Sequence, residues 1–505
     1  MIFTPENYKL WDCWILRHEG KYYLFHLALK KERLGKGSWD GINLALSDDL
    51  IHWEEYGRVL DKSPDAEWIG TGTVQKIGDR FIMNFSEEKP AGRQRVYFAE
   101  SRDLLHWERL PEVCRPDGVY YMDGAERIAN CIPRWDSIGV VDAMEDNGPP
   151  YYGFVTSNTL QYELPNKSGS LGLVTSEDGL NWKCLPNAFP DTSAFPQFEV
   201  PEHFEINGRH YVTFCTSSYL GFRFDDLSED MSGGTFYVVS DSLTGPYRKP
   251  EADCMLQGTR NNEKVSIVTV GRPLIIDGKI YYYHIWGDNG PDGWVGTVKL
   301  LDEEKPYKLR LLYNPVNDKM KGRLLADGGI LRSLAQVNRI GGTPSVGLVA
   351  DGGLKFVGTG TAGAFDAQSL NGSVGGKISD LSDGRILSFS LTLNGGEGAG
   401  AYFKTKDGRR IGFMLNKKRS RLEFGEIKNG WAGNSVFIGD LYQKCAAAET
   451  SNVLLFVRRE FFEVYVNGGY VSSWRSGADI DPNAFGVYFE DSDGEMSDLK
   501  IYQMK

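Results

Sequence analysis

Apolar residues return along this chain in short runs broken by turn residues, and before residue 290 one such element recurs five times. Its copies are Glu19-Gly20-Lys21-Tyr22-Tyr23-Leu24-Phe25, Gly78-Asp79-Arg80-Phe81-Ile82-Met83-Asn84-Phe85, Asn147-Gly148-Pro149-Pro150-Tyr151-Tyr152-Gly153-Phe154, Asn207-Gly208-Arg209-His210-Tyr211-Val212-Thr213-Phe214 and Asp277-Gly278-Lys279-Ile280-Tyr281-Tyr282-Tyr283. Each reads as a hairpin turn feeding a buried strand. A second element follows most copies, a Ser-x-Asp turn after which an aromatic returns: Ser47-Asp48-Asp49-Leu50-Ile51-His52-Trp53, Ser101-Arg102-Asp103-Leu104-Leu105-His106-Trp107 and Ser176-Glu177-Asp178-Gly179-Leu180-Asn181-Trp182. A degenerate copy runs from Ser240 to Tyr247. Repeats of roughly 50 to 75 residues built from short strands and turns predict a propeller of four-stranded blades. Trp53, Trp107 and Trp182 are expected to pack between blades rather than to meet a ligand.

The element disappears after about residue 330, where a glycine-rich passage, Gly341-Gly342-Thr343-Pro344 through Gly358-Thr359-Gly360, leads into new strands. Runs such as Ile386-Leu387-Ser388-Phe389-Ser390-Leu391-Thr392-Leu393 and Phe462-Glu463-Val464-Tyr465-Val466-Asn467-Gly468-Gly469 then alternate apolar and polar positions, the pattern of half-buried antiparallel strands. The expected fold is all-β: a five-bladed β-propeller over 1–338 followed by a C-terminal β-sandwich over 339–505.

Composition agrees with this picture and narrows the partners. A chain of 505 residues exceeds what one hydrophobic core spans, and its 59 Gly, 25 Tyr, 26 Phe and 12 Trp favour turns and strands. A net charge of -12 with no basic run excludes a protein that works by neutralising phosphates, so no nucleic-acid partner is expected. The first residues lack a charged start followed by an apolar stretch, and no segment nears the ~20 apolar residues of a membrane helix. No membrane association is expected, and the location is read as cytoplasmic. The seven cysteines carry no CxxC spacing and read as reduced core residues, and the seven His show no metal-ligand spacing. No metal or cofactor is expected. Nothing in the chain speaks to oligomeric state.

A propeller leaves a funnel on its axis lined by the first strand of each blade, so residues just before the repeated aromatic strands matter most. Three acids stand there. Asp12 lies in Leu10-Trp11-Asp12-Cys13-Trp14, Asp136 in Pro133-Arg134-Trp135-Asp136-Ser137 and Glu199 in Phe198-Glu199-Val200-Pro201-Glu202-His203. Each has a plainer alternative: an exposed turn acid for Asp12, an Arg134–Asp136 pair that stabilises a strand end, and Glu202 competing with Glu199. Three carboxylates on one funnel repel one another, an arrangement that glycoside cleavage uses, since one carboxyl protonates the leaving oxygen while another attacks the sugar or activates water.

The order and spacing of these motifs resemble glycoside hydrolase family 32, the invertases, inulinases and levanases. The family's Trp-Met-Asn-Asp-Pro-Asn-Gly before a Gly-Lys-Tyr-His-Leu-Phe-Tyr strand is echoed by Trp11-Asp12-Cys13-Trp14 before Gly20-Lys21-Tyr22-Tyr23-Leu24-Phe25-His26. Its Trp-Gly-His-Ala-x-Ser-x-Asp-Leu-x-x-Trp is similar to the stretch from Trp39 to Trp53, and its Phe-Ser-Gly-Ser-Ala to Trp68-Ile69-Gly70-Thr71-Gly72. Arg134-Trp135-Asp136 stands for its Arg-Asp-Pro, Glu199-Val200-Pro201 for its Glu-Cys-Pro, and Val464-Tyr465-Val466-Asn467 for a strand of its sandwich.

The resemblance implies an exo-acting, retaining hydrolase of oligosaccharides that removes a terminal furanosyl unit, fructosyl in the family. Asp12 would be the nucleophile, Glu199 the acid/base and Asp136 the transition-state stabiliser. Trp11, Trp39, Trp68, Arg134 and His203 are the candidate sugar contacts; for Trp39 and Trp68 the alternative is blade packing, and for His203 a place behind the site. The Asn before Asp12 and the Pro-Asn-Gly after it are missing, where specificity is set. Three alternatives follow: an inverting enzyme like those of families 43 and 117, acting on arabinofuranosyl or another sugar with Asp12 as base; a binding propeller without catalysis; and transfer to an acceptor sugar.

Overall fold

The structure, a computed structural model, describes residues 1–505 apart from 90–92, 125–132, 144–147, 163–167, 193, 218–231, 252, 261–266, 288–291, 341–344, 350–352, 359–361, 373–377, 379 and 430–434. Asn147 of the third turn, Cys131 and much of the glycine-rich passage after residue 340 therefore lie outside the described residues. Apart from short 3-10 turns, the elements described are all β-strands. No helix among the described residues is long and apolar enough to cross a membrane. Ile2–Gly258 and Ile267–Leu311 form one compact unit, while Leu312–Lys505, with Met1, belongs to a second.

The first unit has a propeller-like arrangement. Four sets of strands close as separate four-stranded antiparallel sheets. They are β1 (Tyr8–His18), β2 (Lys21–Lys30), β3 (Gly41–Ser47) and β4 (Glu54–Asp61); β5 (Trp68–Ile77), β6 (Arg80–Lys89), β7 (Arg93–Ser101) and β8 (Glu108–Cys114); β9 (Trp135–Asp142), β10 (Tyr151–Asn158), β11 (Gly169–Ser176) and β12 (Trp182–Leu185); and β13 (Glu199–Ile206), β14 (Arg209–Ser217), β15 (Ser232–Ser240) and β16 (Met255–Arg260). The fifth repeat does not close in this way, which corrects the expected count of five like blades. Its strands are β17 (Ile267–Ile276), β18 (Lys279–Gly287), β19 (Trp294–Val295), β20 (Lys299–Lys305) and β21 (Lys308–Tyr313). The third position is split, because the start of β18 pairs with β20 and its end with β19. The innermost strands nevertheless touch in the order β1, β5, β9, β13, β17 and back to β1. Residues ahead of β1 reinforce that closure, since Phe3 bridges Val295 and Ile2 N–H donates to Val295 O at 2.9 Å.

The repeated turns have the geometry their residues suggest. In the first, fourth and fifth copies both central residues take positive φ: Glu19 and Gly20, Asn207 and Gly208, Asp277 and Gly278. In the Ser-x-Asp element, Ser47 Oγ accepts from Asp49 N and Leu50 N, Asp49 Oδ1 from Ile51 N and His52 N, and Trp53 Nε1 donates to Leu50 O at 3.0 Å. Ser101-Asp103-Trp107 and Ser176-Asp178-Trp182 repeat this network bond for bond. In the degenerate copy the Tyr247 hydroxyl donates to Leu243 O at 3.0 Å. The indoles thus serve the turns. Trp107 and Trp182 also pack against the apolar clusters of this unit, Trp107 edge-on to Phe25 at 5.7 Å.

In the second unit, Gly384–Thr405 and Ile480–Met504 pair antiparallel over nearly their whole length around an apolar core that includes Phe389, Leu391, Val464 and Phe489. Residues 387–393 alternate buried and half-buried positions as expected, while Ile386 before them is buried as well. Phe461–Val466 does not, being buried throughout. Phe462 and Val464 enter the core, while Glu463 and Tyr465 on the other face are covered by Ser473, Tyr470 and Phe456. Polar Glu463 is tolerated there because it accepts from Tyr465 Oη at 2.7 Å and Ser473 Oγ at 3.1 Å.

Candidate active site

Each of the five innermost strands carries a β-bulge at the corresponding level. Register slips between Leu10 and Cys13 in β1, between Ile69 and Gly72 in β5, at Ser137 in β9, between Glu199 and Glu202 in β13 and between Thr269 and Arg272 in β17. Ser137, Val200 and Val270 take positive φ there, which a residue with a Cβ adopts only when neighbours hold it. The holding groups come from the adjoining sets. Asn84 clamps Ile138, accepting from its N–H at 2.9 Å and donating to its carbonyl at 3.0 Å. Thr156 Oγ1 accepts from Val200 N at 3.1 Å and donates to Phe198 O at 2.8 Å. Thr235 Oγ1 accepts from Gly271 N at 2.9 Å, and Tyr283 Oη from Ile15 N at 2.9 Å. A bulge bends its strand and re-aims its side chains, so these five place Asp12, Thr71, Asp136, Glu199, Glu202 and Arg272 around the axis.

Asp12, Asp136 and Glu199 form one electrostatic cluster. Arg134 bridges two of them, its Nη2 donating to Asp136 Oδ2 and its Nη1 to Glu199 Oε1, both at 2.6 Å. Its Nε donates to Gln94 Oε1 at 2.9 Å, Gln94 Nε2 to Ser86 Oγ at 3.2 Å, and Ser86 Oγ to the other Asp136 oxygen at 2.5 Å. Burial alone would push the Arg134 pKa down, but Glu199 and Asp136 more than offset it and hold the guanidinium charged. Asp12 Oδ2 accepts from the Thr71 hydroxyl, whereas Oδ1 is buried with no hydrogen-bond partner among the described residues. Burial raises the Asp12 pKa to about 7; the Thr71 hydrogen bond and the Arg272 charge oppose the rise, and Glu199 and Asp136 add to it.

The aromatic candidates stand close by. Trp11 lies in the same bulge as Asp12 and stacks on Trp39 at 5.8 Å, with Lys9 Nζ 5.5 Å from the Trp11 ring. Any Cβ at position 287 would meet the Trp11 ring, so Gly287 leaves the indole its place. Trp68 donates to Glu88 Oε2 at 2.6 Å and crowds Gly70 together with Ser86, the partner of Asp136. His203 is not brought to the acids. It follows Glu202 on β13 and points to the opposite face, where its ring stacks on Phe154 at 5.6 Å and Nε2 meets His210 Nδ1 at 3.0 Å. Burial, helped by His210, lowers its pKa to about 3. Glu202 also turns away from Glu199 and pairs with Arg272 Nη1 at 2.8 Å.

Four residues of this network escaped the sequence reading: Thr71, Ser86, Gln94 and Arg272. Thr71 lies inside the Trp68–Gly72 motif, and Ser86 and Arg272 flank repeated aromatic strands, but a hydroxyl or a guanidinium there does not mark sugar-cleaving chemistry as a carboxyl does. Gln94 carries no signal in sequence. Among the described residues no group of three or more His, Cys, Asp or Glu is arranged to hold a metal ion.

No family model matches the chain, and no curated relative does. Solved structures match along its full length. The glycoside hydrolase family 32 β-fructofuranosidase of Bombyx mori is 13% identical at a TM-score of 0.63, covering 100% of this chain and 94% of its own. The sucrose-6-phosphate hydrolase of Lactobacillus gasseri is 12% identical at 0.66, covering 99% and 92%, and the exo-inulinase of Aspergillus awamori 12% identical at 0.67, covering 100% and 97%. A mutant of the Bombyx mori enzyme is described in complex with sucrose. At these identities it is the architecture alone that is shared: the chain has the fold of the glycoside hydrolase family 32 fructofuranosidases.

Proposed function

We propose that this protein is an exo-acting, retaining glycosidase that removes a terminal furanosyl unit, β-fructofuranosyl, from oligosaccharides, at the axis of a five-bladed β-propeller whose fifth blade is β17–β21. The observation that supports it best is the division of labour among the acids. One guanidinium holds Asp136 and Glu199 at 2.6 Å each, while Asp12 keeps Oδ1 clear of any partner among the described residues. That oxygen is the one to bond the anomeric carbon as Glu199 gives a proton to the leaving oxygen; Glu199 then takes a proton from the water that releases the sugar. For Glu199 to carry a proton, Arg134 has to let it go, and sugar hydroxyls are acceptors able to take over its N–H groups. Asp136, fixed by Ser86, accepts from ring hydroxyls. Trp11, Trp39 and Trp68 offer ring faces to the sugar. The sucrose held by the similar Bombyx mori structure agrees with this substrate class.

The test is a panel of p-nitrophenyl furanosides and pyranosides with sucrose, inulin and levan oligosaccharides, and NMR of the first-formed anomer. Fructose released with retained configuration is the expected result. Another sugar released with inversion would recast Asp12 as a base toward water, and no turnover on any member would leave a binding propeller.

A further inference from the structure

The site contains a second arginine that the mechanism above does not use. Arg272, at the end of the β17 bulge, is 2% exposed, and its ring of contacts spans the axis. Nη1 donates to Glu202 of β13 at 2.8 Å and to Gly72 O of β5 at 3.0 Å, and the guanidinium lies 5.8 Å from the Trp14 ring of β1. Nε and Nη2 have no hydrogen-bond partner among the described residues. Beyond it, one step further along the inner strands, a cavity of about 120 Å³ is lined by Trp14, Gln75, Glu202, Arg272 and Tyr283. Arg272 thus lines that cavity with Glu202, and through Gly72 it adjoins Thr71, the residue that donates to Asp12.

The field of a buried guanidinium is little screened by solvent, so its charge is shared between Glu202, its ion-pair partner, and the other groups around it. Asp12 is faced by Thr71 from β5, Asp136 from β9, Glu199 from β13 and Arg272 from β17, with Cys13 beside it on β1 and Tyr283 of β18 next to Arg272. Thr71 is neutral, Asp136 and Glu199 are held by Arg134, and burial pushes the Cys13 thiol and the Tyr283 phenol up so that both stay protonated. The two arginines thus divide the carboxylates, Arg134 taking Asp136 and Glu199, Arg272 taking Glu202 and facing Asp12.

We infer that Arg272 is a positioning residue for Asp12: it supplies the positive charge that limits how far burial favours the protonated form of the attacking carboxyl, and Glu202, by sharing that charge, sets how much of it Asp12 feels. The role of Asp12 rests on the reading proposed above, but the charge balance does not. It is tested by 13C NMR titration of protein labelled at the Asp carboxyl carbons, with Asp12 assigned through Asp12→Asn. In Arg272→Met the Asp12 midpoint should rise by about one pH unit or more, as expected on losing a nearby opposite charge. In Arg272→Lys it should stay near that of the wild type. In Glu202→Gln it should fall, since the guanidinium loses its other anion. A general loosening of the fold would not move the midpoint in opposite directions. An unchanged midpoint in folded Arg272→Met, or a rise in Glu202→Gln, would overturn the inference, and Glu202→Gln decides alone if Arg272→Met does not fold. Because the titration needs no substrate, a protein that cleaves none of the sugars tried would sink the glycosidase reading and leave this result standing.

Discussion

Replacing Asp12 by asparagine should stabilise this protein at neutral pH while abolishing turnover. The carboxyl is 7% exposed and its pKa is raised from the ordinary 3.8 to about 7, chiefly by burial. Below pH 4 the group is protonated folded or unfolded and contributes nothing to the pH dependence. Between pH 4 and pH 7 the folded protein retains a proton that the unfolded chain has released, so stability falls by ~1.36 kcal/mol per unit as pH rises. Above pH 7 the loss is complete and amounts to about 4 kcal/mol. The Asp12→Asn side chain does not titrate and carries no such loss, and the Thr71 hydroxyl can donate to its amide oxygen as it does to the carboxylate. The variant should therefore lead the wild type only slightly near pH 4.5, gain on it steadily to pH 7 and hold a constant lead at pH 8.5. Urea unfolding of both proteins, followed by tryptophan fluorescence at four pH values, reads this directly. A difference in midpoint that stays flat from pH 4.5 to pH 8.5 would refute the reasoning, since an ordinary exposed aspartate predicts that result. The same titration places the acidic limb of kcat/KM for the wild type near pH 7, where the nucleophile becomes an anion.

Three further outcomes are expected elsewhere in the molecule. Glu199→Gln should lower kcat on sucrose-like substrates by about 10²- to 10⁴-fold, the usual worth of a positioned acid, and by much less on p-nitrophenyl glycosides, whose leaving group needs no proton. His203→Phe should leave kcat and KM within about twofold, because the ring packs between Phe154 and His210; a large rise in KM on any good substrate would return His203 to the sugar site. Trp107→Ala should cost about 1 to 3 kcal/mol of stability in denaturant unfolding, less than a fully buried tryptophan because the ring is half-buried, through the lost packing on Phe25 and the lost bond to Leu104 O, without changing KM of the folded protein.

The repeat was legible because its turn chemistry is local. Ser47, Asp49 and Trp53 satisfy one another within seven residues, and the same spacing recurs wherever the same network forms. The three acids were legible because they precede aromatic strands at the position where a propeller lines its axis. Their partners were not. Ser86, Gln94 and Arg272 reach the cluster only after bulges in separate strands have shifted the register, and no periodicity announces a bulge. His203 shows the reverse error. It is a near neighbour of Glu199 in sequence, but the pleat sends successive side chains to opposite faces, and the bulge at Val200 decides which residue faces the axis. The fifth repeat was legible as a repeat, yet the splitting of its third strand between β19 and β20 depends on pairing with β18 that no local motif records.

The hydrogen bond from Ile15 N to the Tyr283 hydroxyl joins residues 268 positions apart, at the level of the axis where Asp12 and Arg272 face one another. During synthesis, then, Asp12 leaves the ribosome with the first strand of this unit and its balancing cation with the last set. Until the fifth set arrives, the side of β1 that β17 packs against is uncovered and Asp12 is wet, an ordinary acid with an ordinary affinity for protons. Contacts of such long range form slowly, and the nascent chain has to remain soluble with its first strands unclosed for most of that time. The charge balance around Asp12 is thus a property of the finished unit: a chain stalled before β17 carries all three acids without the arginine that faces the first of them.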